Sequence, residues 1–190
     1  KVVSFLLILL YSVFNTFHLN AQDCVIPEEY IGNTGVNMTL MLTSDFTSAL
    51  PIADENAYIV VINELGEVYG STNLGSSCEG DDCMDENGQA AIALWGDETF
   101  TPDVVDGFMA YDNFYLQLVD GSTVYNVTPT LAGINQFVPN GLLVATGLTD
   151  IIPLCSLGCE DEIACNYDES ATEDDDSCIY VNGICDSCSG

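Results

Sequence analysis

Short apolar runs follow one another through the middle of the chain, and Gly, Asp, Asn and Pro separate them. Runs rich in strand-forming residues with turn residues between them are typical of β-strands, and no amphipathic helical pattern interrupts them. The pattern therefore predicts a β domain between the first and the last run. The predicted strands cover residues 36–42, 57–63, 68–72, 89–95, 113–119, 123–128 and 142–146.

Two pairs of neighbouring runs predict hairpins. Residues 64–67, which include Gly66, separate the second run from the third, and Asp120-Gly121 separates the fifth from the sixth. Short strands joined by such turns favour an all-β fold, an antiparallel β-sandwich of Ig-like or jelly-roll-like type. A domain of this size buries roughly two-thirds of its surface and can fold alone.

The first 21 residues have a different pattern. A positive charge at Lys1 precedes an apolar run from Phe5 to Leu10, and Ala21 follows before the chain turns polar. This is the order of a secretory signal peptide, which forms a helix and is cleaved after Ala21. The run is too short for a membrane anchor, and the residues before Cys24 lack a lipoprotein signal. We therefore expect export through the Sec pathway to the cell surface or the medium.

Three parts of the chain follow from these patterns. The signal peptide covers residues 1–21, the β-sandwich residues 22–154, and a small irregular module rich in Cys and Asp residues 155–190. No later segment is long and apolar enough to predict a membrane span.

Charge excludes several classes of function. The chain has 30 acidic residues, and its one Lys/Arg is Lys1 and its one histidine His18. Cleavage after Ala21 leaves no cationic side chain. Nucleic-acid binding, Ser-His-Asp or Cys-His catalysis and lysine chemistry are therefore not expected. The carboxylates repel one another, so salt or bound divalent cations must relieve the repulsion.

Carboxylates alone could serve a glycosidase, which needs only two of them. Asp97, Glu98, Asp103 and Asp106 follow Trp95, which could stack on a sugar. Carboxylates this abundant form close pairs by chance, however, and an acidic loop over a core tryptophan is the simpler interpretation. We assign no catalytic residue, and we keep a carbohydrate-binding module or a carboxylate-only glycosidase-associated domain as the alternative, with Trp95 and Asp97 at its ligand site.

Nine cysteines suit an oxidising compartment. Cys24 and Cys155 bracket the β domain, and their pairing would close a loop of ~130 residues. Cys78 and Cys83 flank an acidic loop and predict a local bridge. An odd number cannot pair completely within the chain, so we expect a partner beyond Gly190. The remaining disulfide candidates are Cys159, Cys165, Cys178, Cys185 and Cys188.

The segment from Gly158 to Tyr180, GCEDEIACNYDESATEDDDSCIY, resembles a known repeat. It is similar to the GC-x-D-x-x-AC-N-Y…A-T-x-DDGSC-x-Y repeat of large secreted and surface proteins of marine Bacteroidetes-type bacteria. The resemblance implies a multi-domain surface or secreted protein, commonly exported by type IX secretion. Asp176 stands where the repeat usually has glycine, which predicts a tighter or strained turn.

The same segment offers hard oxygen ligands of the kind that calcium prefers. An EF-hand register from Asn166 fails, because Ala171 replaces the turn glycine and Ser177 the bidentate glutamate. An Asp-rich, disulfide-stapled loop like that of thrombospondin-type repeats remains one hypothesis, and a solvated acidic linker held by disulfides alone is the other. The candidate calcium ligands are Asp161, Asn166, Asp168, Asp174, Asp175 and Asp176.

Together these observations predict a non-enzymatic secreted or cell-surface protein. A binding or spacer domain would be joined to disulfide-stapled repeats, with a role in adhesion or extracellular structure. A purely structural assembly linked by disulfides or calcium is a further hypothesis. The expected partners are an extracellular glycan or protein and further modules of the same chain.

Overall fold

The computed structural model describes residues 24–78, 83–98 and 104–181 of the chain. The predicted signal helix, Asp103, Cys185 and Cys188 lie outside these residues. Across the described ranges, no helix is long and apolar enough to cross a membrane.

The described residues form eight strands and a single helical turn, which confirms the prediction of an all-β, mainly antiparallel fold. The elements are β1 (Asn37–Leu42), α1 (Ser44–Thr47), β2 (Tyr58–Ile62), β3 (Val68–Asn73), β4 (Ala90–Trp95), β5 (Tyr115–Asp120), β6 (Thr123–Leu131), β7 (Leu142–Gly158) and β8 (Glu173–Asp174). Both predicted hairpins are present, β2–β3 and β5–β6.

The last long strand differs most from its prediction, which ended it at Thr146. β7 continues to Gly158 and pairs with the whole of β6. Three register irregularities interrupt this pairing, of which two adjoin Pro129 and Pro153 and the third falls between Thr130 and Leu131. Bulges of this kind let a ladder continue past prolines, which cannot donate a backbone hydrogen bond. In a sequence pattern, a proline indicates only the end of a strand, so the continuation of β7 could not be predicted.

Seven strands follow the order β3-β2-β5-β6-β7-β1-β4, and β8 adds to β7. Neighbours are antiparallel except β1–β7 and β7–β8, which are parallel. The two ends of this order lie against each other, because a Cβ at Gly70 of β3 would stand 2.6 Å from the carbonyl oxygen of Ala93 in β4. The sheet therefore folds over on itself, and glycine is needed where its ends meet.

The core fills the space inside this folded sheet. Alternating residues of β1, β2, β4 and β5 point inward, as expected for strands with one buried face. Phe108 lies among three aromatic rings, with centroid distances of 5.2 Å to Tyr69, 5.6 Å to Phe137 and 6.4 Å to Phe114. The inward-facing aliphatic residues of these strands are Leu40, Leu42, Ile59, Val61, Ile92, Leu94, Leu116 and Leu118.

A second buried layer lies on the outer face of the sheet. Val60, Val119 and Val124 are at most 2 % exposed, although strand alternation turns them away from the main core. Their cross-strand neighbours are Ser71, Tyr58 and Cys155 respectively. Something must therefore cover this face.

The N-terminal strap, residues 24–30, covers the second layer. Cys24 is disulfide-bonded to Cys155. The Tyr58 hydroxyl donates to the carbonyl of Pro27 (2.7 Å), and the Tyr30 N–H donates to Ser71 Oγ (2.9 Å). These three anchors are the cross-strand neighbours of the three valines. The strap therefore runs over the valines and is fixed at both of its ends.

Candidate functional site: the acidic tail and its junction with the sheet

The tail, residues 159–181, returns to the strand from which it leaves. β8 pairs in parallel with Leu157 and Gly158 at the end of β7. Just before this pairing, the Thr172 N–H donates to the Ser156 carbonyl (2.8 Å), and the Ser156 N–H donates to Thr172 Oγ1 (2.9 Å). The boundary that the sequence placed between residues 154 and 155 falls inside β7, so one strand belongs to both parts.

Disulfides fix the tail and its junction. Cys159 bonds to Cys178 across 19 residues, and Cys165 is also disulfide-bonded. Cys24 ties the strap to Cys155 of β7, and its N–H donates to the carboxylate of Glu173 in β8. The strap, the end of the sheet and the tail therefore meet at one cysteine.

The Cys78–Cys83 disulfide lies outside the tail and joins two cysteines that are only five residues apart in sequence. Together with the other bonds, it places every cysteine of the described ranges in a disulfide. These cysteines therefore offer no free thiolate for metal binding or catalysis.

The predicted calcium ligands hold the tail's own turns. Asp161, Asp168, Asp174 and Asp175 each accept a hydrogen bond from the backbone N–H two residues ahead, at 2.8 to 3.2 Å. Asn166 spans the tail, because its Oδ1 accepts from the Ile179 N–H (2.7 Å) and its Nδ2 donates to the Ser177 carbonyl (2.8 Å). A short segment without an aliphatic core is thus shaped by Asx turns and disulfides.

Hydrogen bonds within the tail also shift the pKa values of two of these carboxylates and of a neighbouring tyrosine. The Ser170 hydroxyl and N–H hold the pKa of Asp168 below its ordinary value, and Ser177 lowers the pKa of Asp175 in the same way. Tyr180 donates to Asp161 Oδ2 (2.8 Å), which raises the pKa of the phenol. Asp168 and Asp175 are therefore ionised at neutral pH and suit cation binding better than proton donation.

The predicted carboxylates are spread through the tail. Within residues 24–78, 83–98 and 104–181, no three or more His, Cys, Asp or Glu side chains are grouped closely enough to hold a metal ion. The sequence showed how many oxygen ligands the tail contains. It could not show that the Asx turns direct them toward separate backbone segments.

Asp176 adopts a left-handed conformation, with φ at 59°. This is the position where the resembled repeat usually has glycine. Asp tolerates such a conformation better than most residues, at a cost that glycine avoids.

We therefore expect Asp176→Gly to stabilise the tail by about 1 kcal/mol. The stabilisation would appear as slower hydrogen exchange of the Ser177 and Ile179 amides, because the tail would unfold locally less often. The matched control is Asp174→Gly, which makes the same replacement and removes the same charge at a residue in β8. This variant should accelerate exchange. Faster exchange in Asp176→Gly would show that the Asp176 carboxylate stabilises the tail by more than its left-handed backbone conformation costs.

Trp95 is not a core residue, contrary to one sequence interpretation. Alternation along β4 turns it to the outer face, where it is partly buried. The loop after it is held together by carboxylates, since Asp97 Oδ1 accepts from the Asp106 N–H (3.0 Å) and Asp106 Oδ1 accepts from the Glu98 N–H (3.3 Å). The Asp97 and Asp106 carboxylates therefore support the loop, whereas Glu98 contributes its backbone N–H.

Two grooves open beside the β2–β3 turn, and neither includes Trp95 or Asp97. The larger one, about 720 Å³, lies at the junction, between Val25 of the strap, Leu154 of β7 and Glu173 of β8. The other, about 560 Å³, lies between the turn and the loop at Val105 and Tyr111. Leu65 lines both grooves and is 83 % exposed. The sequence signal for these grooves is a leucine between acidic residues in the predicted hairpin turn.

Comparisons with protein-family models, curated proteins and solved structures give no match to the chain. A functional assignment therefore has to rest on the residues and their geometry.

Proposed function

We propose that this chain is a non-enzymatic secreted or cell-surface protein whose β domain carries a disulfide-stapled acidic module of the resembled repeat type. Its role would be adhesion or extracellular structure. The observation that carries the proposal is the junction. Cys24, Cys155 and Glu173 join the strap, the last long strand and the tail into one continuous unit.

Such a junction suits a connector under mechanical load. A repeat that only hung from the domain would rotate freely, whereas two parallel backbone pairs and the hydrogen bond from the Cys24 N–H to Glu173 fix its direction. Disulfide bonds in this number also persist best outside the cytoplasm. Direction and covalent closure are both useful in a protein that extends from a surface through successive modules.

The charge supports the same role. Export would remove Lys1 and His18 and leave an entirely acidic set of ionisable side chains besides cysteine and tyrosine. Such a surface resists self-association and lacks the imidazole and lysine that most covalent and acid–base catalysis uses. The carbohydrate-binding alternative has weaker support at its proposed site, because Trp95 and Asp97 lie outside both grooves described above.

Calcium is part of the proposal, as a weakly bound ligand of the tail, whose carboxylates are not gathered into one metal site in the described residues. We expect titration calorimetry on the oxidised protein to show binding with a Kd on the order of 10⁻⁴–10⁻³ M, the range of extracellular modules. The double variant Asp168→Asn/Asp174→Asn should lose most of the heat of calcium binding, because it removes the charge of two proposed ligands.

The variant Asp45→Asn/Asp150→Asn is the matched control, since both of its carboxylates are exposed on the β domain. It should bind as the parent does. Absence of heat at ~10 mM calcium would leave the tail as an acidic connector held by disulfides alone.

A further inference from the structure

The groove between the β2–β3 turn and the loop at Tyr111 combines an exposed aromatic ring, exposed apolar side chains and carboxylates. Tyr111 is 69 % exposed, and apolar Leu65 and Val105 are 83 % and 63 % exposed beside it. Glu64, Glu67 and Asp112 bring carboxylates to the same groove. Exposed apolar side chains that share a groove with charged groups are typical of interaction sites.

Tyr111 is held in place at a conformational cost. Its φ is 73°, a left-handed value that is unusual for a bulky side chain. Its N–H donates to the Phe137 carbonyl (2.8 Å), and the Phe137 N–H donates to the Asp112 carbonyl (2.8 Å). The loop therefore presents the ring from a fixed backbone. A glycine would satisfy this turn more easily.

The carboxylates of the groove keep acceptor capacity for a ligand. Glu64 Oε1 accepts from Asn113 Nδ2 (3.3 Å), and Glu67 Oε2 accepts from Asn63 Nδ2 (2.8 Å) and from the Tyr69 hydroxyl (2.9 Å). Asp112 Oδ2 accepts from the Met109 N–H (2.9 Å). Among the described residues, the second oxygen of each carboxylate accepts no hydrogen bond, and Lys1 and His18 lie outside this part of the chain.

The lining of the groove selects among cationic ligands. A bare metal ion would leave the exposed apolar side chains beside the carboxylates uncovered. A long side chain with a cationic end fits better, because its stem can lie on Leu65 and Val105 while its charge lies over the Tyr111 ring and near the carboxylates.

We propose that this groove binds a lysine or arginine side chain of a basic peptide segment in a partner protein. The attraction combines the net negative charge of the whole chain, a cation–π contact with Tyr111 and hydrogen bonds to Glu64, Glu67 and Asp112. The inference rests on the proposed extracellular role only for access to such a partner.

The experiment uses the oxidised full chain and a disordered peptide of alternating lysine and serine. Calorimetry should show binding, and amide shifts should change at residues 63–67 and 109–113. A peptide with glutamine in place of lysine should not bind. The variant Glu64→Gln/Glu67→Gln/Asp112→Asn should weaken binding about tenfold.

Two further variants separate the groove from general charge and from folding. Glu160→Gln/Glu162→Gln/Glu169→Gln removes equal charge from exposed positions of the tail, and it should change affinity less than about twofold. Tyr111→Gly should raise the melting temperature, because glycine suits φ near 73°, and yet weaken binding about tenfold.

Equal losses in the two charge variants, or full affinity in Tyr111→Gly, would overturn the proposal. Binding of a neutral oligosaccharide in place of the basic peptide would overturn it in favour of a glycan site. These outcomes concern a different surface from the tail, so a calcium response in the tail would still support the proposed function.

Discussion

Replacement of both cysteines of the strap disulfide, Cys24→Ser/Cys155→Ser, is expected to lower the free energy of unfolding by about 5 kcal/mol. The bond closes a loop across 131 residues, which restricts the unfolded chain strongly. It also holds the strap over Val60, Val119 and Val124, so its loss lets water reach a buried apolar layer. Urea unfolding under oxidising conditions measures the change.

The chain contains a matched control for this prediction. Cys78→Ser/Cys83→Ser removes a bond that spans five residues, for which loop entropy predicts only about 2 kcal/mol. Limited proteolysis should cut within residues 24–30 of the first variant and spare them in the second. Equal destabilisation of the two variants, with an intact strap in both, would contradict the assigned role of Cys24.

Low ionic strength is expected to destabilise the protein strongly. Only Lys1 and His18 stand against the 30 acidic residues, so folding brings like charges together almost without compensation. The Debye length shrinks from about 30 Å at 0.01 M to about 8 Å at 0.15 M salt, which screens most of this repulsion. We expect the melting temperature to rise by about 10 °C over this range, equivalent to a few kcal/mol.

Comparison of sodium, magnesium and calcium chloride at equal ionic strength separates screening from binding. Screening alone gives similar melting temperatures in the three salts. Calcium bound to the tail raises the melting temperature further, and EDTA reverses this rise. A melting temperature that does not change with sodium chloride would show that the carboxylates are too far apart on the folded protein to interact.

Periodicity predicted the strands well because each has one face in the core. β1 and β4 bury alternate residues for that reason, whereas β2 is apolar throughout because its outer face is buried as well. Gly66 and Gly121 mark the hairpin turns with positive φ values of 83° and 60°. Cys24 and Cys155 could be recognised as a pair that brackets the domain. Local signals are sufficient where a residue's environment is set by its own strand or turn.

Non-local geometry could not be predicted in this way. The length of β7 depends on bulges opposite β6, and the cover over Val60 depends on a strap that begins more than thirty residues earlier. The placement of Trp95 followed from which face of β4 turned outward. The carboxylates of the tail were counted correctly, but their directions depend on Asx turns that composition does not specify.

The form of the protein in its source cells decides whether it is an exported, disulfide-stapled connector. Intact-mass and N-terminal analysis of the surface and extracellular fractions should find a chain that begins at Gln22, with Cys24, Cys78, Cys83, Cys155, Cys159, Cys165 and Cys178 inaccessible to thiol reagents until reduction. A cytoplasmic chain that retains Lys1 and reacts as free thiols at these positions would contradict the account of an exported, disulfide-stapled connector.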